Sequence, residues 1–147
     1  MRRTALFALL ASLLPVSRCV CSTTDPATEG QQYEAFKDFS NLFLTQRDLD
    51  KAFNEYIPGE YINHNPDVQS GRENALNYLR PIWTSTPVVP AAVFFGQGFG
   101  LIHYKVERNG TSIAIMDRYR LNGTCIVEHW DLRQTITGNE ANPIAFF

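Results

Sequence analysis

The chain has 147 residues, a net charge of −2 and 44% hydrophobic residues, which is enough for one domain with its own core. Without the three arginines of residues 1–21, the rest of the chain has 10 basic and 15 acidic residues and a net charge of −5. No basic run remains there, so the composition argues against nucleic acid or an anionic membrane as the partner.

The N-terminus has the order of charged, apolar and small residues that a secretory signal peptide has. Two arginines precede an apolar run from Ala5 to Val16, and small residues follow that run. The run is too short to span a bilayer as a helix. We therefore predict a signal peptide over residues 1–21, with cleavage after Cys19 or Cys21 left open. The mature chain is expected to be secreted or to lie in the lumen of the secretory pathway.

The cysteines and the Asn-Gly pairs support two further predictions. Cys125 is the only cysteine certain to remain after cleavage, so we interpret it as a buried small hydrophobic residue rather than half of a disulfide. Asn109 and Asn122 each begin an "NGT" sequon, which is a glycosylation acceptor in a secreted protein. The same Asn-Gly pairs favour hairpin turns, and both readings can hold because a hairpin tip is exposed.

The hydrophobic pattern divides the chain into a helical half and a strand half. Residues 22–31 are small and polar and predict a disordered lead-in, followed by a single domain over 32–147. Apolar residues then recur at three- and four-residue spacing in three segments, the second capped by Asp48 and the third broken near its end by Pro81. After residue 90 three β-rich stretches follow, "AAVFFGQGFGLIHYKVER", "TSIAIMDRYRL" and "TCIVEHWDLRQTI".

This order predicts an α+β fold. Three helices precede a block of strands in which Asn-Gly turns make two successive hairpins. A curved antiparallel or mixed sheet, with the three N-terminal helices on its concave face, would enclose a cone-shaped cavity. The face on which each polar side chain lies then decides which residues line that cavity.

The register of the second hairpin is open to two readings. A strict two-residue turn on Asn122-Gly123 places Asp117 opposite Glu128, and two facing carboxylates repel. A three-residue loop or a bulge beside Cys125 places Asp117 opposite His129 instead. A slip of one residue changes the face of every side chain in a strand.

We favour the bulged register because it removes the repulsion between the carboxylates. It also lets Arg118 pair with Glu128 on the outer face and puts Trp130 there. Two acids and a histidine among apolar residues are what an acid–base pocket needs. The residues predicted on the inner face are Ile115, Asp117, Tyr119, Val127, His129 and Asp131.

Three other side chains are candidates for binding a substrate. His64 lies in the loop "YINHNP", at the expected mouth of the cavity, and Tyr61 precedes it in the same segment. His103 pairs with Met116 on the outer face if the first hairpin has a two-residue turn, and faces inward if that hairpin is bulged. Neither HxH nor HExxH spacing occurs, so we predict no metal.

Five motifs follow one another along the chain: "YINHNP", "SGRENALNYL", "IHYKVERN", "MDRYRLNG" and "IVEHWDLRQ". In this order they resemble the SnoaL-like polyketide cyclase family of the nuclear-transport-factor-2-like superfamily. The resemblance covers residues 33–147, and the first and last motifs are its most specific parts.

The resemblance implies catalysis without a cofactor, in a cone-shaped fold that dimerises through its sheet. An aspartate on the last strand serves these cyclases as general acid and base in an aldol condensation, and the motif carries that role onto Asp131. Asp117 takes the partner position, where we expect a histidine in the cyclases, and His129 would assist. The resulting hypothesis is a cyclase or isomerase that enolises a small polyketide- or terpenoid-like carbonyl compound. The alternative is a module of the same fold that binds a small hydrophobic ligand without chemistry.

Overall fold

The computed structural model describes residues 21–147. The predicted signal peptide lies outside the described residues except for Cys21. The segment expected to be a disordered lead-in instead has regular contacts. Its last three residues form the first turn of a helix, and the backbone N–H of Thr124 donates to the carbonyl of Ser22 at 2.9 Å.

Three helices precede the sheet. Helix α1, Glu29–Ser40, begins with a capping box between Thr28 and Gln31 and continues into a π-helical segment, Asn41–Gln46. Helix α2, Leu49–Tyr56, is capped by the side chain of Asp48, as predicted. Helix α3 spans Arg72–Trp83.

Pro81 does not end α3, which contradicts the predicted break. The proline lies two residues before the end of the helix, so the backbone hydrogen bond that it removes belongs to the last turn. The helix therefore continues to Trp83, whose indole N–H donates to the carbonyl of Phe43 at 3.1 Å. This bond ties the end of α3 to the π-helical segment.

Five strands form one open mixed sheet, which confirms the α+β class. The strand order is β1-β5-β4-β3-β2, and only β1 runs parallel to its neighbour, β5. The strands are β1 (Ile62–Asn63), β2 (Val88–Gly96), β3 (Phe99–Arg108), β4 (Thr111–Asn122) and β5 (Cys125–Ile136).

The first β-rich stretch is a hairpin and not one long strand. Gln97 and Gly98 both have positive φ, 54° and 77°, and turn the chain between β2 and β3. The Gln-Gly turn signal was missed because the apolar residues on both sides of it form a nearly continuous run. The sheet therefore has three successive hairpins where the sequence predicted two.

In the hairpin between β4 and β5, the predicted face of the strand residues beyond the bulge is correct and the predicted pairing is wrong. Asn122 pairs with Cys125, and a bulge at Val127 then moves the register, so that Asp117 lies opposite Asp131 rather than His129. The favoured register and the observed one differ by two residues, which preserves the face of each side chain beyond the bulge. Val127 itself lies at the bulge, and Ile126 takes the buried position, with 2% of its surface exposed.

The outer face of β4 and β5 differs from the prediction in its ion pair. Glu128 bonds to Arg120 at 2.6 Å and not to Arg118. Arg118 lies over the ring of Trp130, with 4.1 Å between the guanidinium carbon and the ring centroid. The shifted register explains this exchange, because it places Arg120 opposite Glu128.

The core lies between the helices and the inner face of the sheet. Phe36 of α1 packs against Phe95 and Tyr119, and Gly100 of β3 lies directly under the Phe36 ring. Side chains of all three helices and of β3, β4 and β5 make up this cluster. None of the helices in the described part of the chain is long and apolar enough to cross a membrane.

A disulfide joins Cys21 to Cys125, which contradicts the interpretation of Cys125 as an unpaired buried residue. The two residues are 104 positions apart in sequence. The prediction failed because it assigned Cys21 to the removed signal. Since Cys21 is half of the bridge, this residue belongs to the folded domain and not to a removed signal.

Candidate active site

A cavity of about 120 Å³ lies between α3, the π-helical segment and the inner face of the sheet. Its wall is mostly apolar, and β1, the loop after it and β5 contribute Asn63, Asn65, His129, Asp131 and Arg133 to its polar part. Asp117, His129 and Asp131 all line it, as do Ile115, Tyr119 and Tyr61. Six of the residues predicted from the sequence therefore meet around one cavity.

Asp131 lies in the cavity wall with 5% of its side chain exposed. Its Oδ2 accepts hydrogen bonds from the side-chain amide of Asn65 and forms an ion pair with Arg133, both at 3.0 Å. Its Oδ1 is buried and has no hydrogen-bond partner among the described residues. One oxygen of the carboxylate is thus held in place while the other is free to accept a proton.

Burial raises the pKa of Asp131, and the negative charge of Asp117 across the strand pair raises it further. His129, Arg133 and Asn65 oppose this effect and lower the pKa, but the net direction is upward. A carboxylate with a raised pKa is a stronger base than an exposed one. An unpartnered carboxylate oxygen in an apolar cavity is the combination that general-base catalysis uses.

Asp117 is held by two tyrosines and has no ion pair with an arginine of residues 21–147. Its Oδ2 accepts hydrogen bonds from the hydroxyls of Tyr104 at 2.8 Å and Tyr119 at 3.3 Å. Burial raises the pKa of both phenols well above the usual range of tyrosine, and the nearby charge of Asp117 raises it further. Both hydroxyls therefore keep their protons and act as donors. The structural salt bridge that the sequence allowed, between Asp117 and Arg118 or Arg120, is not formed.

The tautomer of His129 is set by Asn63. The ring Nδ1 lies 3.0 Å from Oδ1 of Asn63, and the backbone N–H of Asn65 donates to that same oxygen at 3.2 Å. Because an amide oxygen only accepts, Nδ1 carries the proton. The other ring nitrogen, Nε2, lies 3.5 Å from Oδ1 of Asp117 and makes no hydrogen bond within the described chain.

The pair Asn63 and Asn65 was not predicted as part of the site. Strand β1 lies parallel to β5, with Asn63 beside His129, and the backbone N–H of His64 donates to the carbonyl of His129 at 2.9 Å. Alternation along the extended chain then sends the two asparagines to the inner side and His64 outward. The spacing in "NHN" carried this signal, but a two-residue parallel strand is too short to recognise from sequence.

His64 and His103 lie outside the cavity, so their predicted roles in substrate binding are wrong. His64 stacks on Trp130 at 4.8 Å and bonds to Glu128 at 2.8 Å, on the outer face. His103 pairs with Met116 because the hairpin between β3 and β4 turns on two residues without a bulge. The ring of His103 stacks on Phe147 at 4.7 Å.

Arg133 is another site residue that the sequence did not indicate. Its guanidinium bridges two aspartates: Nε lies 3.0 Å from Oδ2 of Asp131, and Nη2 lies 2.5 Å from Oδ2 of Asp67. A second, open groove shares Asp131, Arg133 and Ile113 with the cavity wall. Arg133 thus lies where the wall of the cavity borders the open groove.

No group of three or more His, Cys, Asp or Glu side chains in residues 21–147 has the arrangement of a metal site. The side chains in the cavity wall that can hold or move a proton include Asp117, Asp131, His129 and the tyrosines.

Solved structures share this architecture. An NTF2-like protein of unknown function from Mesorhizobium loti is 21% identical, covers 75% of this chain and 97% of its own, and has a TM-score of 0.60. A SnoaL-like protein of unknown function from Burkholderia thailandensis is 16% identical over 75% of this chain and 99% of its own, with a TM-score of 0.54. IdmH from Streptomyces antibioticus, a proposed polyketide cyclase, is 13% identical over 71% and 92%, with a TM-score of 0.53.

The chain has the NTF2-like fold. The structural agreement confirms the fold that the motifs predicted, while identities of this size carry no activity across. No family model matches the chain, and no curated protein matches it. In this NTF2-like fold the cavity lies between the helices and the sheet, and any chemistry there depends on the residues that line it.

Proposed function

We propose that the chain is a cofactor-independent acid–base enzyme, a cyclase or isomerase that enolises a small carbonyl compound. The observation that carries this proposal is the unpartnered Oδ1 of Asp131, buried in the wall of an apolar cavity with its pKa raised. Burying a carboxylate oxygen without a partner costs free energy, and groups of this kind concentrate at functional sites. The other oxygen is fixed by Asn65 and Arg133, which orients the base.

In the proposed reaction, Asp131 removes a proton from the carbon beside the carbonyl group of the substrate. The C–H electrons form the carbon–carbon double bond of an enolate, and the proton moves to Oδ1. When His129 is protonated, its Nε2–H is the donor for the enolate oxygen, and Asp117 balances that charge from 3.5 Å. Asp131 then returns the proton to a different carbon in an isomerisation, or to the new alkoxide after aldol closure.

The size and lining of the cavity limit the substrate. An enclosed cavity of roughly 150 Å³ holds one benzene molecule, so about 120 Å³ accommodates a reacting end of about one ring. The rest of a polyketide- or terpenoid-like molecule would extend past Arg133 into the open groove. The substrate class is proposed from the sequence motifs and the apolar lining of the cavity, because IdmH shares only the fold.

A non-catalytic binding module remains the second candidate, and the ion pair between Arg133 and Asp131 favours it. An arginine at one carboxylate oxygen lowers the basicity of the group. The two functions differ in whether the protein moves a proton, and that difference can be measured without knowing the natural substrate.

Hydrogen–deuterium exchange from a one-ring ketone tests the proposal. Cyclohexanone and cyclohex-2-enone are incubated with the protein in D₂O, and the loss of carbon-bound protons is followed by NMR. We expect the wild-type protein to accelerate exchange and Asp131→Asn to slow the catalysed rate by about 10²- to 10⁴-fold. Asp67→Asn is the matched control, because Asp67 contacts the same arginine from an exposed position.

Two results would reject catalysis by Asp131. Equal exchange rates in wild type and Asp131→Asn would remove the residue from the mechanism. Saturable binding of the ketone by the wild type without any acceleration of exchange would instead assign the fold to the binding module.

We further propose that the chain enters the secretory pathway and acts as a homodimer. The charged and apolar N-terminus supports the first point, as does the Cys21–Cys125 disulfide, because such bridges persist in oxidising compartments. Large apolar side chains on the outer face of the sheet support the second. They include Phe94, Met116 and Leu132, which is 76% exposed.

A further inference from the structure

The two sequons of the chain lie in hairpin tips and both acceptor asparagines are exposed, but Thr111 is exposed whereas Thr124 is half-buried and bonded to Ser22. We propose that Asn109 accepts an N-linked glycan in the folded chain, whereas the Cys21–Cys125 disulfide closes the sequon of Asn122 against glycosylation. The inference rests on the proposed entry into the secretory pathway and is independent of the proposed enzymatic reaction. It assigns different fates to two identical "NGT" tripeptides.

The first sequon is open on every side. Asn109 and Gly110 form the two-residue turn between β3 and β4, with φ angles of 52° and 75°. Asn109 and Thr111 are exposed, and no atom lies within 4 Å of the position that a Cβ on Gly110 would take. Nothing in the described chain covers this tip, so a transferase can reach its asparagine and its threonine hydroxyl together.

In the second sequon Asn122 is exposed, but Gly123 and Thr124 are packed against the segment that follows Cys21. The hydroxyl of Thr124 accepts a hydrogen bond from the backbone N–H of Ser22 at 2.9 Å, and the N–H of Thr124 donates to the carbonyl of Ser22 at 2.9 Å. The carbonyl of Gly123 accepts from the side chain of Gln32 at 2.8 Å. A Cβ on Gly123 would overlap the carbonyl oxygen of Ser22, which shows how closely the segment packs on the turn.

The disulfide holds the Ser22 segment against the turn, because it joins the neighbours of Ser22 and Thr124. Cys125 directly follows the sequon, and Cys21 directly precedes Ser22, so the bridge joins the residues adjacent to the two hydrogen bonds. The backbone N–H of Cys21 also donates to the carbonyl of Glu55 at 3.2 Å, which anchors the segment to α2. Hydrogen bonds alone would open transiently, whereas the covalent bridge keeps Ser22 at the turn.

The chemistry of glycan transfer explains why this matters. The side-chain nitrogen of asparagine forms a bond to the first sugar of a lipid-pyrophosphate oligosaccharide donor, the sugar–phosphate bond breaks, the lipid pyrophosphate leaves, and the amide loses one proton. The transferase must hold the threonine of the same sequon while this occurs. Thr124 cannot be presented while its hydroxyl and N–H are bonded to Ser22, so Asn122 can react only before the bridge forms.

Translation of the full chain in the presence of microsomes tests the inference. Asn109→Gln and Asn122→Gln assign the gel bands, and a glycosidase that removes N-linked glycans confirms them. We expect the wild type to carry mainly one glycan, which is lost in Asn109→Gln and retained in Asn122→Gln. Cys21→Ser, which leaves the sequon sequence unchanged, should convert the major species to two glycans.

Addition of dithiothreitol during translation is the second arm and requires no substitution. It should raise the two-glycan species in the wild type and leave the occupancy of Asn109 unchanged. Equal occupancy of both asparagines in the untreated wild type would overturn the inference, as would the absence of glycan at both. Failure of Cys21→Ser and of dithiothreitol to raise occupancy at Asn122 would show that the disulfide does not control it.

Discussion

The candidate site depends on the balance of charge around one residue, Asp131. Of its two oxygens, one is paired with Arg133 and Asn65, and the other is buried without a partner among the described residues. Arg133 divides its own contacts between Asp131 and the exposed Asp67. The carboxylate is thus positioned by its surroundings without being fully neutralised by them.

Replacement of Asp131 by Asn should stabilise the folded protein at neutral pH. The pKa of Asp131 is raised by folding, so its proton stabilises the folded state at low pH and this contribution is lost as the pH rises through the folded-state pKa. At neutral pH the buried charge is unfavourable, and asparagine removes it. Urea unfolding at several pH values should show a higher free energy of unfolding for Asp131→Asn at pH 7, with a difference that shrinks as the pH falls toward 4. A wild-type protein that is more stable than the variant at pH 7 would contradict this account.

The sequence predicted the inward position of Asp117, His129 and Asp131 from the repulsion between facing carboxylates. The structure does not support that reason, because Asp117 lies directly opposite Asp131. The predicted face is right because the two registers differ by two residues. The sequence could not indicate the two asparagines, because β1 lies beside β5 only in the folded chain, or Arg133, whose partner Asp67 is 66 positions away. His103 was assigned to the site although a simple Asn-Gly turn placed it on the outer face.

At the scale of the elements, the contact between α1 and β3 fixes one end of the core. Gly100 in β3 lies under Phe36, and any side chain there would collide with the ring. The helices themselves were predictable from caps and periodicity, since Asp48 and the Phe36–Phe43 spacing are local signals. The hairpin between β2 and β3 was not, because its turn interrupts an apolar run only briefly.

Gly100→Ala should destabilise the fold by about 1–3 kcal/mol, because the added methyl forces Phe36 or β3 to move. Gly59→Ala provides the matched control, since it lies in an exposed loop and no atom lies within 4 Å of the position that its added methyl would take. Thermal and urea unfolding of both variants would measure the difference. An equal effect of the two substitutions would show that the contact between α1 and β3 is not tight.

At the scale of the whole molecule, the Cys21–Cys125 bridge joins the start of the folded chain to the last strand. It closes a loop that spans most of the domain, and loops of that length gain most from a covalent link in chain-entropy terms. The sequence could not predict this bridge, because the assignment of Cys21 to the signal removed the partner of Cys125. The contact is visible only once β5 is placed beside the N-terminal segment.

Removal of the bridge by Cys21→Ser together with Cys125→Ser should lower the free energy of unfolding by about 2–5 kcal/mol. The double variant avoids a free thiol, and the oxidised and reduced wild type provide the parallel comparison. Urea unfolding monitored by circular dichroism gives the value. A double variant within about 0.5 kcal/mol of the oxidised wild type would mean that the bridge contributes no stability.

The proposed function depends on a buried carboxylate oxygen that has no partner among the described residues and can accept a proton. Carbon NMR titration of Asp131 would measure this property in the protein itself. Selective ¹³C labelling of the aspartate carboxyl carbons, with Asp131→Asn to assign the resonance, would follow the protonation of this one group with pH. We predict that Asp131 titrates above the usual range of an aspartate. A pKa for Asp131 at or below that usual range would show that Arg133 neutralises the carboxylate, and would contradict its role as the base.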